Sequence, residues 1–405
     1  MANAQGAKKQ IKRAKQTVQG TPQTSGSQLI RRTSGMFKKA SDTFQNNEIV
    51  PHMQSTGDTE GTYSTNGKID GVLSPATYCP EIAQLFRQDF TATTAITGMS
   101  ITIAASGVNW IVTRAAGSFL TDGVKVGDVV RLTAGTFNAA NINKNLLVLA
   151  VTALTITVIP LNGVTLVAES TPVTGATLTI PGKKCWVPTS GHLDTFYTWE
   201  EWFPDVPLSR VHPDCKVSQL ALSVPATGNP TVSFDIAGLS RTFGAVEVLT
   251  APTAATTTSV LADAQAKVIV NGVLTPVTGL TITVNGNIQP GEPEVGSQAR
   301  SGHVVGVIAV SGTITAKLSS SALQAIRDNQ TNVPLLVPIP VDNTPNSDFV
   351  CFVVNSIQIF TDDIDDGQAK EVIATYNFVA EIPATGGAAL ANWQTIISVQ
   401  DSLAP

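Results

Sequence analysis

The chain has 405 residues, 42% hydrophobic and 14% charged, with a formal net charge of −5. That is room for two or three domains with real cores, and the many Val, Thr, Ile and Gly residues favour strands, so a mainly β class is expected. The longest apolar run, 146–159, is too short to cross a bilayer and is broken by threonines, which excludes membrane insertion through a helix.

The chain opens on a basic segment. Residues 1–50 hold Lys8, Lys9, Lys12, Arg13, Lys15, Arg31, Arg32, Lys38 and Lys39 against Asp42 and Glu48, a net of +7 that leaves −12 for the remainder. Residues 1–40 read as a basic N-terminal arm without the apolar h-region of a secretory signal. A basic arm on an acidic body suits either nucleic acid or an acidic neighbouring subunit. The second is favoured, because the body supplies its own complement and no aromatic residue precedes Phe37.

Next comes a pattern that occurs twice. Gly67-Lys-Ile69-Asp-Gly-Val-Leu73-Ser74 and Gly312-Thr-Ile314-Thr-Ala-Lys-Leu318-Ser319 each alternate apolar and polar residues and end on a serine placed to cap a helix. Their offset is constant at 245 (314 − 69, 318 − 73, 319 − 74). Further on, Val217-Ser-Gln-Leu220-Ala-Leu222 matches Val354-Asn-Ser-Ile357-Gln-Ile359. Likewise Val232-Ser-Phe234-Asp-Ile236 matches the strand through Tyr376 and Phe378. Such a repeat of supersecondary structure predicts a duplicated domain: 41–90 with 182–245 as a discontinuous first copy, 246–385 as the second, and 386–405 as a C-terminal tail.

The first copy carries about 108 additional residues, since Leu73 to Leu220 spans 147 positions and Leu318 to Ile357 only 39. The excess falls at 91–181, rich in Thr, Val, Ala, Gly and Ile and poor in acids. It reads as an inserted small all-β module, a barrel or an immunoglobulin-like domain.

Three constellations invite a functional reading. Phe196, Tyr197, Trp199, Trp202 and Phe203 are able to stack on sugars if exposed, but alternating aromatics in a strand fit a core or a subunit interface better. Asp362, Asp363, Asp365 and Asp366 resemble a calcium loop, yet with Gly367 in sixth place the third ligand position falls on Ile364. A solvated hairpin turn between strands at 349–360 and 370–382 is expected instead. The four cysteines, Cys79, Cys185, Cys215 and Cys351, have no C-x-x-C spacing and fit reduced thiols. No nucleophile elbow, P-loop, zinc-protease or dinucleotide motif is present, and the four histidines are scattered. Neither an enzyme nor a cofactor is expected.

Several segments in order resemble one family. They are Leu29-Ile30-Arg31-Arg32, Asp42-Thr-Phe44-Gln45-Asn46-Asn47-Glu48-Ile49 and Gly71-Val-Leu73-Ser74-Pro75-Ala-Thr77-Tyr78. The stretch from Tyr197, Trp199 and Glu200 through Cys215-Lys-Val217 and Pro225-Ala-Thr-Gly228 to Phe234 and Gly238 follows. Together with the insert's Gly117-Ser-Phe-Leu-Thr-Asp122-Gly123-Val-Lys-Val126-Gly127-Asp128, this succession resembles the major tail tube proteins of long-tailed bacteriophages with non-contractile tails. The basic extension before Leu29 and Pro80 at the start of the first helix depart from the pattern.

The resemblance implies two β-sandwich domains, each flanked by one α-helix, whose sheets join side by side into closed rings. It further implies stacking of those rings into a virion tail tube, assembled in the host cytoplasm, that conducts DNA. With six tube domains per ring and two per chain, a homotrimeric pseudo-hexameric ring is expected, a homohexamer being the alternative. Tape-measure, tail terminator and baseplate proteins are the implied partners, and DNA is expected to pass a net-negative lumen without specific binding. The insert is expected outside the tube, where its deletion leaves assembly intact. Arg31, Arg32, Lys38 and Lys39 are candidates to bridge to an acidic surface on an adjacent ring or subunit, with Asp362, Asp363, Asp365 and Asp366 either as its match or at the lumen edge. Truncating the arm is then expected to stop polymerisation but not ring formation. The alternative reading is another virion β-protein: a baseplate, terminator or glycan- or receptor-binding decoration protein.

Overall fold

Alternating apolar strands dominate the computed structural model, which describes residues 3–54, 56–365 and 371–405. In chain order the principal elements start with β1 (Gln10–Lys15), β2 (Ser34–Gln45), β3 (Asp58–Val72) and α1 (Cys79–Phe86). The insert supplies β4 (Ile96–Ser106), β5 (Asn109–Arg114), β6 (Val129–Ala134), β7 (Leu146–Val151), β8 (Thr155–Pro160) and β9 (Glu169–Thr179). After it come β10 (Lys183–Trp186), β11 (Tyr197–Phe203), β12 (Leu208–Pro225), β13 (Thr231–Gly238) and β14 (Ile269–Val270). The last elements are β15 (Val277–Asn285), β16 (Ala309–Lys317), α2 (Ala322–Asp328), β17 (Val333–Pro340), β18 (Phe349–Asp365), β19 (Ile373–Ala380) and β20 (Ile397–Asp401).

The long strands β12 and β18 each serve two sheets. Their C-terminal halves enter one continuous antiparallel sheet of order β2-β3-β13-β12-β15-β16-β19-β18. Their N-terminal halves enter the opposite layer, as β1-β11-β12 on one side and β14-β17-β18-β20-β10 on the other. One continuous apolar core lies between the layers, including Ile69, Trp199, Leu220 and Phe234 from the first copy and Ile314, Leu335, Ile359 and Tyr376 from the second. Helix α1 lies against β12 and α2 against β18.

The duplication is visible in the registers. Ile69 sits between Gly35 and Phe234, and Ile314 between Leu280 and Tyr376. The hairpin β2–β3 therefore repeats as β15–β16 at an offset of 245 (280 − 35, 314 − 69). Strands β12 and β13 repeat as β18 and β19 at 142 (362 − 220, 376 − 234). Even the irregularities recur at that offset: the register shifts between Val217 and Gln219, and again between Ile359 and Thr361. A β-bulge bends a strand, and here each bulge lies where a long strand leaves one layer for the other. The expected matches of Val217 with Val354 and Leu220 with Ile357 are thus displaced by five positions. The true counterparts are Ile359 and Asp362.

The insert is a closed six-stranded barrel of order β8-β5-β4-β9-β6-β7 with its own core around Val112, Phe119, Val130, Leu132 and Val158. It docks on the outer layer of the second sandwich, where Val129, Leu147 and Leu161 meet Ile269, Leu336, Phe349, Cys351 and Val353. Gly127 permits the close approach. Its φ is +88°, and a Cβ there would lie 2.5 Å from Val353 Cγ2. The barrel therefore stands across the sandwich from the continuous eight-stranded sheet.

Two expectations change at the N-terminus and the helices. Residues 10–15 are not an arm but a strand, hydrogen-bonded along its length to β11 with Ile11 fully buried. Its basic side chains Lys12 and Arg13, and Lys9 just before it, are neutralised by carboxylates distant in sequence: Lys12 by Glu247, Arg13 by Glu81 and Lys9 by Glu201. Nor does Ser74 cap α1. That helix begins at Cys79 with a proline in its first turn, where the missing N–H costs nothing, and Ser74 Oγ lies 2.6 Å from Thr77 Oγ1 instead.

Candidate assembly interface

The eight-stranded sheet has two edges, and sequence places opposite charges on them. At one end β2 pairs with β3 and, among the described residues, with no other strand. At the other end residues 361–365 of β18 pair, among the described residues, only with β19. Unpaired edges are templates for another chain, so their chemistry decides what they accept.

On the β2 edge, Phe37 points inward, stacked on His212 at 4.7 Å and tilted against Trp199 at 5.6 Å. Its N–H points away from β3 and donates to Glu201 Oε1 at 3.3 Å. Lys38 is exposed and makes no ion pair within the described chain. Lys39 pairs with Glu60 and stands 4.3 Å over the Tyr63 ring. On the β18 edge, Asp362 is held by Arg327 of α2 at 3.1 Å and accepts from Gln324 at 3.3 Å. Asp363 and Asp365 are exposed, without an ion pair in the described chain. Asp366 lies outside the described residues.

The expected hairpin turn at 362–366 is thus partly strand, since β18 runs on to Asp365 against β19. The other two basic candidates belong elsewhere. Arg31 donates to Ser74 Oγ and the Thr258 carbonyl, and Arg32 to the Lys9 carbonyl, so both are spent inside the first sandwich. Burial lowers the Arg32 guanidinium, with Glu201 opposing. Lys38 and Lys39 share one edge, Asp362, Asp363 and Asp365 share the other, and nothing among the described residues brings the two groups together.

One face of the sheet is core; the other is hydroxyl- and amide-rich. It presents Asn66 and Lys68, Ser233 and Asp235, Thr281 and Thr283, Thr313 and Thr315, and Thr375 and Asn377. Its charges are Lys38, Lys68 and Lys317 against Asp70, Asp235, Asp363 and Asp365, a small negative excess.

Sequence reasoning missed the buried polar groups behind the β2 edge. Glu200, fully buried, accepts the N–H groups of Val248 and Leu249 at 2.8 Å each and lies 3.8 Å from Lys12. Burial holds Arg13 down to about 10 and pushes Tyr78 up to about 12. Alternation with buried Trp199 would place Glu200 outside, but residues 197–201 are buried on both faces, so no local signal announces it. The aromatic cluster at 196–203 is structural: Trp199 is 1% and Tyr197 9% exposed, with none of the others fully exposed. All four cysteines are buried thiols, and burial raises each. Among the described residues no His/Cys/Asp/Glu group could hold a metal, and no helix is long and apolar enough to cross a membrane.

The profile of a family described as phage tail tube protein matches residues 6–380. No curated protein matches the chain.

Proposed function

As the chain belongs to the phage tail tube protein family, a structural component of the virion tail, we propose that it polymerises into stacked rings whose lumen conducts DNA during ejection. The observation that carries this reading is the continuous sheet. Two copies of a four-strand unit are already joined edge to edge through β12 and β15, and the same two edges remain open at the ends. Closure into a ring satisfies every strand of this eight-stranded sheet and leaves it no edge for aggregation.

Two units per chain and six per ring give a homotrimer with pseudo-sixfold appearance, a homohexamer being the other solution. The polar face of the sheet then lines the lumen, with the barrel on the outside of the wall. Hydroxyls and a slight negative excess suit passage of a polyanion. A lysine-lined wall would release counterions and hold the phosphates. A non-contractile tail, assembly in the host cytoplasm around a tape-measure protein, and capping by terminator and baseplate proteins complete the proposal. Electron microscopy of the purified protein tests it: end-on views with six lobes and side views of stacked rings are expected, and a discrete oligomer at every concentration would refute it.

A further inference from the structure

The join between the two halves of one chain has a definite register. Leu220 faces Val284, Ala221 faces Thr283 and Leu222 faces Ile282. The duplication offsets carry those pairs to the two open edges, since β12 maps to β18 by +142 and β15 to β2 by −245. Resting on the ring reading above, we propose that the edge 361–365 of β18 pairs antiparallel with β2 of a second copy, with Asp362 facing Lys39, Asp363 facing Lys38 and Ile364 facing Phe37 of that copy.

The hydrogen-bonding pattern agrees on both sides. In the internal join the Gly286 N–H donates to the Ser218 carbonyl at 2.7 Å, which makes Leu222–Ile282, two pairs of residues further along, a hydrogen-bonded pair. Its counterpart is Ile364–Phe37, so the Phe37 N–H must point out of the sheet edge. It does, and is capped by the Glu201 carboxylate at 3.3 Å, a long bond that the arriving strand replaces. Asp363 and Lys38 then form a non-hydrogen-bonded pair, the kind whose side chains approach most closely.

The chemistry of the two joins differs for a physical reason. The internal join is never exposed to other chains, so it uses Leu, Val, Ile and Thr. The edges between chains wait in water, where Leu and Val would invite aggregation; charge protects them. Lysines on one edge and aspartates on the other also repel edges of their own kind. Only head-to-tail pairing, the kind that closes rings, brings the opposite signs together. Lys38 and Lys39 are thereby contacts within a ring rather than between rings.

Cysteine pairing in the full chain tests the register. A non-hydrogen-bonded pair has Cα atoms about 4.5 Å apart, within disulfide reach, whereas a slip of two residues puts them about 7–8 Å apart and out of reach. The native cysteines are at most 3% exposed and should not compete. Lys38→Cys/Asp363→Cys is expected to cross-link chains under mild oxidation into covalent oligomers ending at the ring, at least tenfold more than Ala40→Cys/Asp363→Cys. Charge exchange gives a second reading: Lys38→Asp should impair ring formation, and Lys38→Asp/Asp363→Lys should restore it. Rings that form while the first cysteine pair stays unlinked, or while the slipped pair links equally, would overturn this register and leave the ring reading standing. Absence of rings from the unmodified chain would overturn both.

Discussion

Excising the barrel, expected from the sequence to leave assembly intact, instead exposes the apolar floor it covers. Ile269, Leu336, Phe349, Cys351 and Val353 are each at most 4% exposed and form the floor on which it sits. Full burial of such side chains stabilises by about 1.5–3 kcal/mol each; with roughly half of each side chain still covered by its own sheet, uncovering five costs about 5 kcal/mol. Polar partners go too. Lys184, 5% exposed, loses the Asp128 carboxylate at 3.0 Å, and the Gln400 side chain loses the Val129 N–H and carbonyl. Water takes the place of the lost partners on the uncovered face, so each lost bond adds only its net worth of about 0.5–1.5 kcal/mol. The sum approaches the about 5–15 kcal/mol that holds a typical domain together. The excision itself is gentle, because Thr91 and Ala92 lie beside Lys184 and Lys183, so a short Gly/Ser linker can replace residues 94–180. Calorimetry and soluble yield of the excised chain should show a collapse of cooperative melting. Adding Leu336→Thr, Val353→Thr and Lys184→Thr should return solubility and assembly. An excised chain without those changes that melts within a few degrees of the full protein and still forms tubes would refute the reasoning.

Three further outcomes are expected. Deleting residues 3–17 removes β1 and leaves Glu81 buried without Arg13 and Glu200 without Lys12, so the first sandwich should lose its cooperative transition instead of merely failing to polymerise; a folded, ring-forming truncation contradicts this. A Cβ at Gly67 would press on the Phe37 ring at 2.3 Å, while at Gly312 it would meet the Thr281 carbonyl oxygen at 2.1 Å. A ring can swing and a strand carbonyl cannot, so Gly67→Ala should cost about 1–3 kcal/mol and Gly312→Ala more, read as the order of the two melting temperatures. Burial lowers His212 and His303 below the ordinary 6.5. The unfolded chain takes up protons that the folded one resists, so stability should fall as pH drops below about 6.5, and His212→Gln should flatten part of that fall. Burial raises the Asp401 carboxyl above its ordinary 3.8, which acts oppositely: its contribution is present at acid pH and lost as pH rises through the raised value.

How far the sequence revealed the fold depended on where apolar alternation survives. Gly67 to Leu73 and Gly312 to Leu318 alternate because one face is core and the other polar, and the 245 offset emerged from them directly. Residues 349–357 are buried on both faces, since the barrel covers the outer one. With no alternation to set the register, Val354 looked as good a match for Val217 as Ile359, and the bulges that distinguish them carry no local signature. Strand β1 was hidden because Gln-Ile-Lys-Arg-Ala-Lys reads as solvated; its neutralising partners, Glu81, Glu200 and Glu247, come from far along the chain. The run Asp362-Asp363-Ile364-Asp365 looked like a turn because its strand is only half partnered. The opposite charges of the two edges were legible as composition, but their positions at the ends of one sheet required the topology.

The central claim is that this chain is two ring units joined by a seam that repeats between chains. Rotational symmetry from end-on electron microscopy of assembled protein tests it most directly. Three chains with six similar lobes, and sheet density continuous through all six seams, is the predicted result. Six chains per ring would contradict the duplication as the ring's repeating device, and discrete particles that never close or stack would contradict the tube itself.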